Sequence, residues 1–153
     1  MEHTHNRGLT MTKYPLGEFL AENMPQIHLM GRLIVQEYEQ GMPDINIWCR
    51  GSSGAIVSAL IANEYMAEGG KARVCHVKKQ GEQAHSHYPS WTPGAINIIA
   101  DDFVSSGATV KEVYDSMQRF TSGARMDLMI VTSTCDYSMV EFFTGKLRKI
   151  ISY

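Results

Sequence analysis

Two adjacent carboxylates, Asp101 and Asp102, follow the apolar run Ile96 to Ala100 and precede the small residues Ser105, Ser106, Gly107, Ala108 and Thr109 in the stretch INIIADDFVSSGATVKEV. A run this apolar reads as an interior strand of a parallel sheet, buried on both faces. Its C-terminal end is the edge where open α/β sheets bind ligands, so the strand delivers both aspartates to that edge. The small residues let the backbone turn with its N–H groups inward, and Thr109 with Glu112 reads as a capping box that starts the next helix. Unpaired N–H groups at a helix start suit a phosphate, Ser105, Ser106 and Thr109 can add hydroxyl donors, and Gly107 keeps the approach open. Carboxylates beside such a turn describe a ligand with both hydroxyls and phosphate, namely a ribose phosphate, with room for a divalent cation. The plainer alternative is a strand ending in a polar turn, with Asp102 serving only as a helix-entry residue.

Two other stretches carry chemistry. In INIWCRGSSG, Arg50 ends a strand and Gly51, Ser52, Ser53 and Gly54 follow, which supplies a guanidinium fork and accessible backbone donors at the start of the helix AIVSALIA. Taken alone, this is equally a strand-to-helix connection. The segment KKQGEQAHSHYPSWTPG, 78 to 94, is polar, rich in breakers and longer than the usual connection of about 4 to 6 residues. It reads either as a solvated basic turn or as a lid whose Lys78, Lys79, His85 and His87 could neutralise an anionic ligand while excluding water. His76, His85 and His87 lack a carboxylate or cysteine at a spacing that would support zinc. His3 and His5 fall in a start, residues 1 to 13, that reads as a flexible tail.

These residues need a scaffold, and the chain of 153 residues, 44% of them hydrophobic, is long enough for one domain with a real core. Short runs rich in Ile and Val alternate with helix-compatible segments, the pattern of βαβ units around a mostly parallel sheet flanked by helices. The strands expected are INIWC, ARVCHV, INIIA and DLMIVTS. The helices expected are Pro25 to Gln40, Ala55 to Ala67, Thr109 to Phe120 and Ser138 to Leu147. A formal charge of −2 gives no whole-chain case for nucleic acid or a membrane surface as a partner. The three cysteines, Cys49, Cys75 and Cys135, form no CxxC pair, which fits a reducing cytoplasm.

The stretch 96–110 resembles the phosphoribosyl-pyrophosphate-binding signature of the type I phosphoribosyltransferases, in which apolar residues precede two acidic ones and a Thr/Ser-Gly-x-Thr turn. The resemblance implies that Asp101 and Asp102 reach the ribose hydroxyls and that Ser105 to Thr109 wrap the 5′-phosphate. Arg50 and Gly51 stand where the family's pyrophosphate loop has a basic residue and glycine, with Ser52 beside them. The long loop is similar to the family's closing loop, which implies catalytic work for Lys79 and His85 and substrate contact for Lys78, although the spacing departs from the orotate-using branch. Ser105 replaces the aspartate of the hypoxanthine/guanine branch. The resemblance further implies Mg²⁺ held directly or indirectly by Asp101 and Asp102, a homodimer, and transfer of phosphoribosyl to a nucleobase by a domain spanning 14–153. A non-catalytic binder of phosphoribosyl pyrophosphate or a nucleotide is the alternative. Tyr14 to Gln40 and Tyr137 to Tyr153 remain for a small terminal hood over the base. Trp91, Tyr137, Phe142 and Phe143 could stack on that base or serve as core and dimer contacts.

Overall fold

The computed structural model describes residues 1–5, 16–78, 89–102, 107–132 and 135–152. In chain order these form β1 (Glu2–His5), α1 (Leu16–Glu37), β2 (Ile45–Arg50), α2 (Gly51–Ala67), β3 (Ala72–Val77), β4 (Ile96–Asp101), α3 (Ala108–Thr121), β5 (Met126–Val131), α4 (Tyr137–Phe142) and β6 (Lys149–Ser152). The six strands make one sheet in the order β1-β6-β5-β4-β2-β3. Every pairing in it is parallel. This is the single α/β domain that the alternation of apolar runs and helices leads one to expect.

Both sheet faces are covered, and the strand alternation shows how. Ile45, Ile47, Ile98, Ala100, Leu128 and Ile130 point to the face packed by Ile27, Met30 and Ile34 of α1 and Val57, Ile61 and Tyr65 of α2. Trp48, Ile99, Met129 and Val131 point the other way, into Val110, Val113 and Met117 of α3 and Met139 of α4. Strands sandwiched between two layers have no polar face to show, which is why INIIA carries no alternation.

Several boundaries differ from the sequence expectation. Helix α1 begins at Leu16 and runs through Pro25 rather than starting there. Its apolar stripe buries against the sheet, and that packing outweighs one lost backbone bond. Glu2–His5, within the span read as a flexible tail, is an edge strand in parallel register with Lys149–Ser152. An unpaired strand edge offers N–H and C=O groups to any extended chain, and Lys149 Nζ lies 3.4 Å from Glu2 Oε1. The C-terminal helix is shorter than expected, ending at Phe142, and KIIS enters the sheet as β6. Among the described residues, the segments assigned to a hood therefore serve as a core helix, a short packed helix and a strand.

The crossover from β3 to β4 uses no helix in its described part. Residues 89–95 instead lie as a strap across the sheet, fastened by Asn46. Its amide donates to the Thr92 carbonyl at 2.9 Å and accepts from the Thr92 N–H at 2.8 Å. Asn97 Oδ1 accepts from both Asn46 Nδ2 at 3.0 Å and Trp48 Nε1 at 2.9 Å, so the buried amides satisfy one another. Trp91 then packs with its ring centroid 6.1 Å from that of Trp48 and 6.1 Å from that of Phe120. The end of the segment read as a lid is thus fixed. Its middle, 79–88, lies outside the described residues.

At the N-terminal edge of the strands, Arg148 forks onto Asp127 at 3.0 and 2.9 Å and reaches Glu37 at 2.5 Å, while the Tyr38 hydroxyl donates to Asp127. Burial pushes the Asp127 carboxyl up, but the Arg148 guanidinium and the Tyr38 hydroxyl outweigh it and hold the group below the ordinary carboxylate range. A depressed acid stabilises the fold above its unfolded pKa, near 4, and loses that contribution as pH falls through the folded value. Asp127→Asn is therefore expected to cost about 1–2 kcal/mol at pH 7, allowing for the solvent around Arg148. Urea unfolding at pH 7 and at pH 3 should show that difference shrinking in acid.

Candidate functional site

The C-terminal edge of the sheet gathers the residues singled out in the sequence. Arg50 ends β2, Asp101 ends β4, and α2 and α3 both begin at this edge, so their free N–H groups and positive dipole ends face it. Gly51 to Ser53 is not a free turn before a helix starting at Ala55: α2 begins at Gly51 itself, after extended Arg50 (φ −144°, ψ 148°). Gly51 has φ +77°, the left-handed region that penalises any side chain, so glycine lets strand pass into helix with no linker. Ser52 is exposed on that first turn.

Asp101 is 7% exposed and accepts the Asp102 N–H at 2.8 Å. A methyl added at Gly54 would stand 3.8 Å from Asp101 Oδ1, so the first turn of α2 lies directly against the carboxyl. Thr132, fully buried beyond β5, clasps the other side: its N–H donates to the Asp101 carbonyl and its hydroxyl to the Asp102 carbonyl, both at 3.1 Å. Burial first, and then hydrogen bonding and charge from Asp102, hold the Asp101 carboxyl well above the usual range, against the Asp102 N–H that lowers it. Asp102 is only half-buried. The pair is thus asymmetric, one enclosed acid that favours its protonated form beside one that meets solvent.

The helix after the aspartates is capped differently from the expectation. Gly107, at φ +79° and ψ 0°, is the N-cap of α3, and no side chain caps it. Thr109 is an exposed residue inside the first turn, so the Thr109–Glu112 capping box does not form. Gly107 is required twice over, since a Cβ there would lie 2.1 Å from Met139 Sδ. Glu112 instead pairs with Arg50 across the edge. Arg50 is 13% exposed and Glu112 59%. The Arg50 Nε is buried and has no hydrogen-bond partner among the described residues. Ala108 is exposed at the start of α3 and Lys78 is half-buried just past β3. Ser105, Ser106, Lys79 and His85 lie outside the described residues.

The structure brings together Arg50, Gly51, Asp101, Asp102 and Gly107, and adds three partners the sequence reading missed. Glu112 carried a signal as an acid three residues after Thr109, read as part of a cap, but it lies in the second turn of α3. Thr132 sat at the end of DLMIVTS, where a threonine at a strand terminus gave no warning of its clasp. Nothing in the sequence placed Met139 beneath Gly107. Burial pushes Cys49 up to about 11 and Cys75 up to about 12, so neither is a nucleophile near neutral pH.

An acid whose folded pKa is raised works opposite to Asp127: stability is full below its unfolded pKa and falls as pH rises toward the folded value. Asparagine mimics the protonated carboxyl. Asp101→Asn should therefore melt above the unsubstituted protein at pH 8, with the gain vanishing toward pH 4. A gain that is constant from pH 4 to 8 would contradict the enclosed-acid geometry.

No family model matches the chain, and no curated protein sequence does. Solved structures do. Adenine phosphoribosyltransferase from Giardia lamblia, complexed with 9-deazaadenine, is similar at TM-score 0.64 and 13% identity over 93% of this chain and 85% of that one. Orotate phosphoribosyltransferase from Mycobacterium tuberculosis, in complex with inorganic phosphate, is similar at 0.63 and 14% over 97% and 87%. Hypoxanthine phosphoribosyltransferase from Trypanosoma cruzi, in complex with IMP, is similar at 0.55 and 15% over 74% and 62%. At these identities the likeness is one of architecture: the chain has the fold of the type I phosphoribosyltransferases.

Proposed function

We propose that the chain binds phosphoribosyl pyrophosphate at the C-terminal edge of its sheet and transfers the phosphoribosyl group to a nucleobase nitrogen. The observation that carries this reading is the enclosed Asp101 with half-exposed Asp102 at the end of the central strand β4, directly before the N-terminus of α3. That arrangement stands on a fold whose solved neighbours include phosphoribosyltransferases for adenine, orotate and hypoxanthine.

In this reading Asp101 and Asp102 hold the ribose hydroxyls. An Asp101 carboxyl biased by burial toward its neutral form can both donate to and accept from a hydroxyl, while the half-exposed Asp102 carboxyl offers acceptors. Residues 105–109 take the 5′-phosphate at the start of α3, and Arg50, Gly51 and Ser52 take the pyrophosphate at the start of α2. Lys78, Lys79 and His85 belong to the segment that would close over the site. The base nitrogen attacks the ribose C1′ as the bond from C1′ to the pyrophosphate oxygen breaks. The pyrophosphate leaves with that electron pair, and the base loses its N–H proton to solvent or to a nearby base. The residues contribute positioning and charge, the larger part of such catalysis.

Among the described residues no group of three His, Cys, Asp or Glu side chains could hold a metal ion. Two adjacent carboxylates and no cage suit Mg²⁺, which is held by one or two carboxylates together with substrate oxygens. Asp102, directly or through water, would hold it with Asp101 behind. When bound, the ion would offset the charge of the departing pyrophosphate.

A second reading is a non-catalytic relative that senses phosphoribosyl pyrophosphate or a nucleotide. It is favoured by the use of α1, α4 and β6 in the sandwich, which leaves little described chain to grip a base. Partners in either case are small phosphorylated ligands and a second copy of the chain.

Calorimetric titration with phosphoribosyl pyrophosphate and Mg²⁺, followed by a pyrophosphate-release assay over a panel of purines and pyrimidines, separates the readings. Release with one base establishes the transferase, binding without release favours the sensor, and absence of binding sinks both. Asp102→Asn is expected to weaken binding at least tenfold through the loss of charge-assisted bonds.

A further inference from the structure

We propose that Glu112 is a built-in competitor for the Arg50 guanidinium, a resident anion that makes the site selective for ligands presenting two anionic oxygens side by side. The inference deepens the ribose-phosphate reading above and rests on it. Arg50 is enclosed, with 13% of its side chain exposed, and an enclosed cation must have an anionic partner. Glu112 supplies one from the second turn of α3, across the gap from the end of β2. Its carboxylate is 59% exposed and solvated, so releasing it into water costs little.

The pairing leaves one donor unused. Arg50 Nε is buried with no acceptor among the described residues, where Glu112 answers only part of the fork. A buried unsatisfied donor carries a desolvation penalty until an acceptor arrives. A diphosphate can meet Nε and a terminal nitrogen together, the side-by-side pattern for which guanidinium is suited. A halide, or any ligand that offers a single anionic atom, gains nothing over the partner already in place. Glu112 also sits on α3 while Arg50 precedes α2, so their ion pair bridges the two helix starts that the phosphoribosyl reading gives to different phosphates. Exchange of Glu112 for a ligand would therefore open the passage between those subsites as it fills one of them.

The test is calorimetric titration of the full chain with inorganic pyrophosphate, with ribose 5-phosphate as a second probe that reports the other helix start. Glu112→Gln is expected to tighten inorganic pyrophosphate about threefold to tenfold, the scale of removing an exposed ion-pair competitor, and to change ribose 5-phosphate less than twofold. Asp115→Asn, one acid removed from the same exposed helix, should change neither. Arg50→Gln should weaken pyrophosphate at least tenfold, and the Arg50→Gln, Glu112→Gln double variant should bind no tighter than Arg50→Gln alone. A gain reproduced by Asp115→Asn, retained in the double variant, or absent from Glu112→Gln while ribose 5-phosphate still binds overturns the competitor role and leaves the ribose-phosphate reading standing. Failure of every variant to bind either probe overturns both. Melting temperatures of the variants confirm that each titrated chain is folded.

Discussion

A sheet whose strands all run parallel must be covered on both faces, and most features of this protein follow from that requirement. The strands β2, β4 and β5 alternate their side chains between two apolar layers, so polar chemistry is largely expelled to the strand ends. The helices after β2 and β4 both start at the C-terminal end, because in a parallel sheet each crossover must carry the chain back to begin the next strand. Exposed N–H groups and positive dipole ends collect there as a consequence of topology. The opposite end collects side-chain cations and carboxylates instead, where Arg148 ties Asp127 to Glu37 and Lys149 reaches both Glu37 and Glu2.

Where residues 89–95 lie against β2 and β4, polar groups are buried, and the solution there is mutual satisfaction. Asn46, Asn97 and Trp48 hydrogen-bond one another, and their remaining capacity goes to the Thr92 backbone and, from Asn97 Nδ2, to the Arg125 carbonyl. Asp101 is the contrasting case. It is enclosed by α2, Asp102 and Thr132, yet burial disfavours its charge, so the fold is weakened at neutral pH by keeping it. A buried group retained against stability, at the edge where α/β sheets bind ligands, is the kind of residue that function selects.

The central strands and the aspartate pair were legible in the sequence because both are local. Four apolar runs became β2, β3, β4 and β5 near their expected positions, and INIIADD carried its own reading of strand followed by carboxylates. What stayed hidden depends on long-range partners. Glu2–His5 and Lys149–Ser152 are strands only because each pairs with the other or with β5, and no local periodicity announces that. The start of α2 at Gly51 depended on a positive φ that composition alone does not reveal. The roles of Glu112, Thr132 and Met139 are contacts across tens of residues, which spacing rules built on i to i+4 neighbours do not reach.

Electrostatics gives the ligand edge its character. With a formal charge of −2 the chain as a whole has no field to gather anions, so capture of a phosphorylated ligand must be local. Two helix starts provide partial positive charge that is fixed in the backbone and unaffected by pH. Full positive charge among the described residues at this edge comes from Arg50, already joined to Glu112, from Lys111 in the first turn of α3, which lies over the Phe142 ring, and from Lys78 at the foot of the basic segment. Asp101 and Asp102 add negative potential beside them, lessened because burial biases Asp101 toward its neutral form. A site so balanced holds anions by directed donors more than by net charge. Its preference then follows from which ligand oxygens match the two helix starts and the Arg50 fork, and shape decides where charge alone would not.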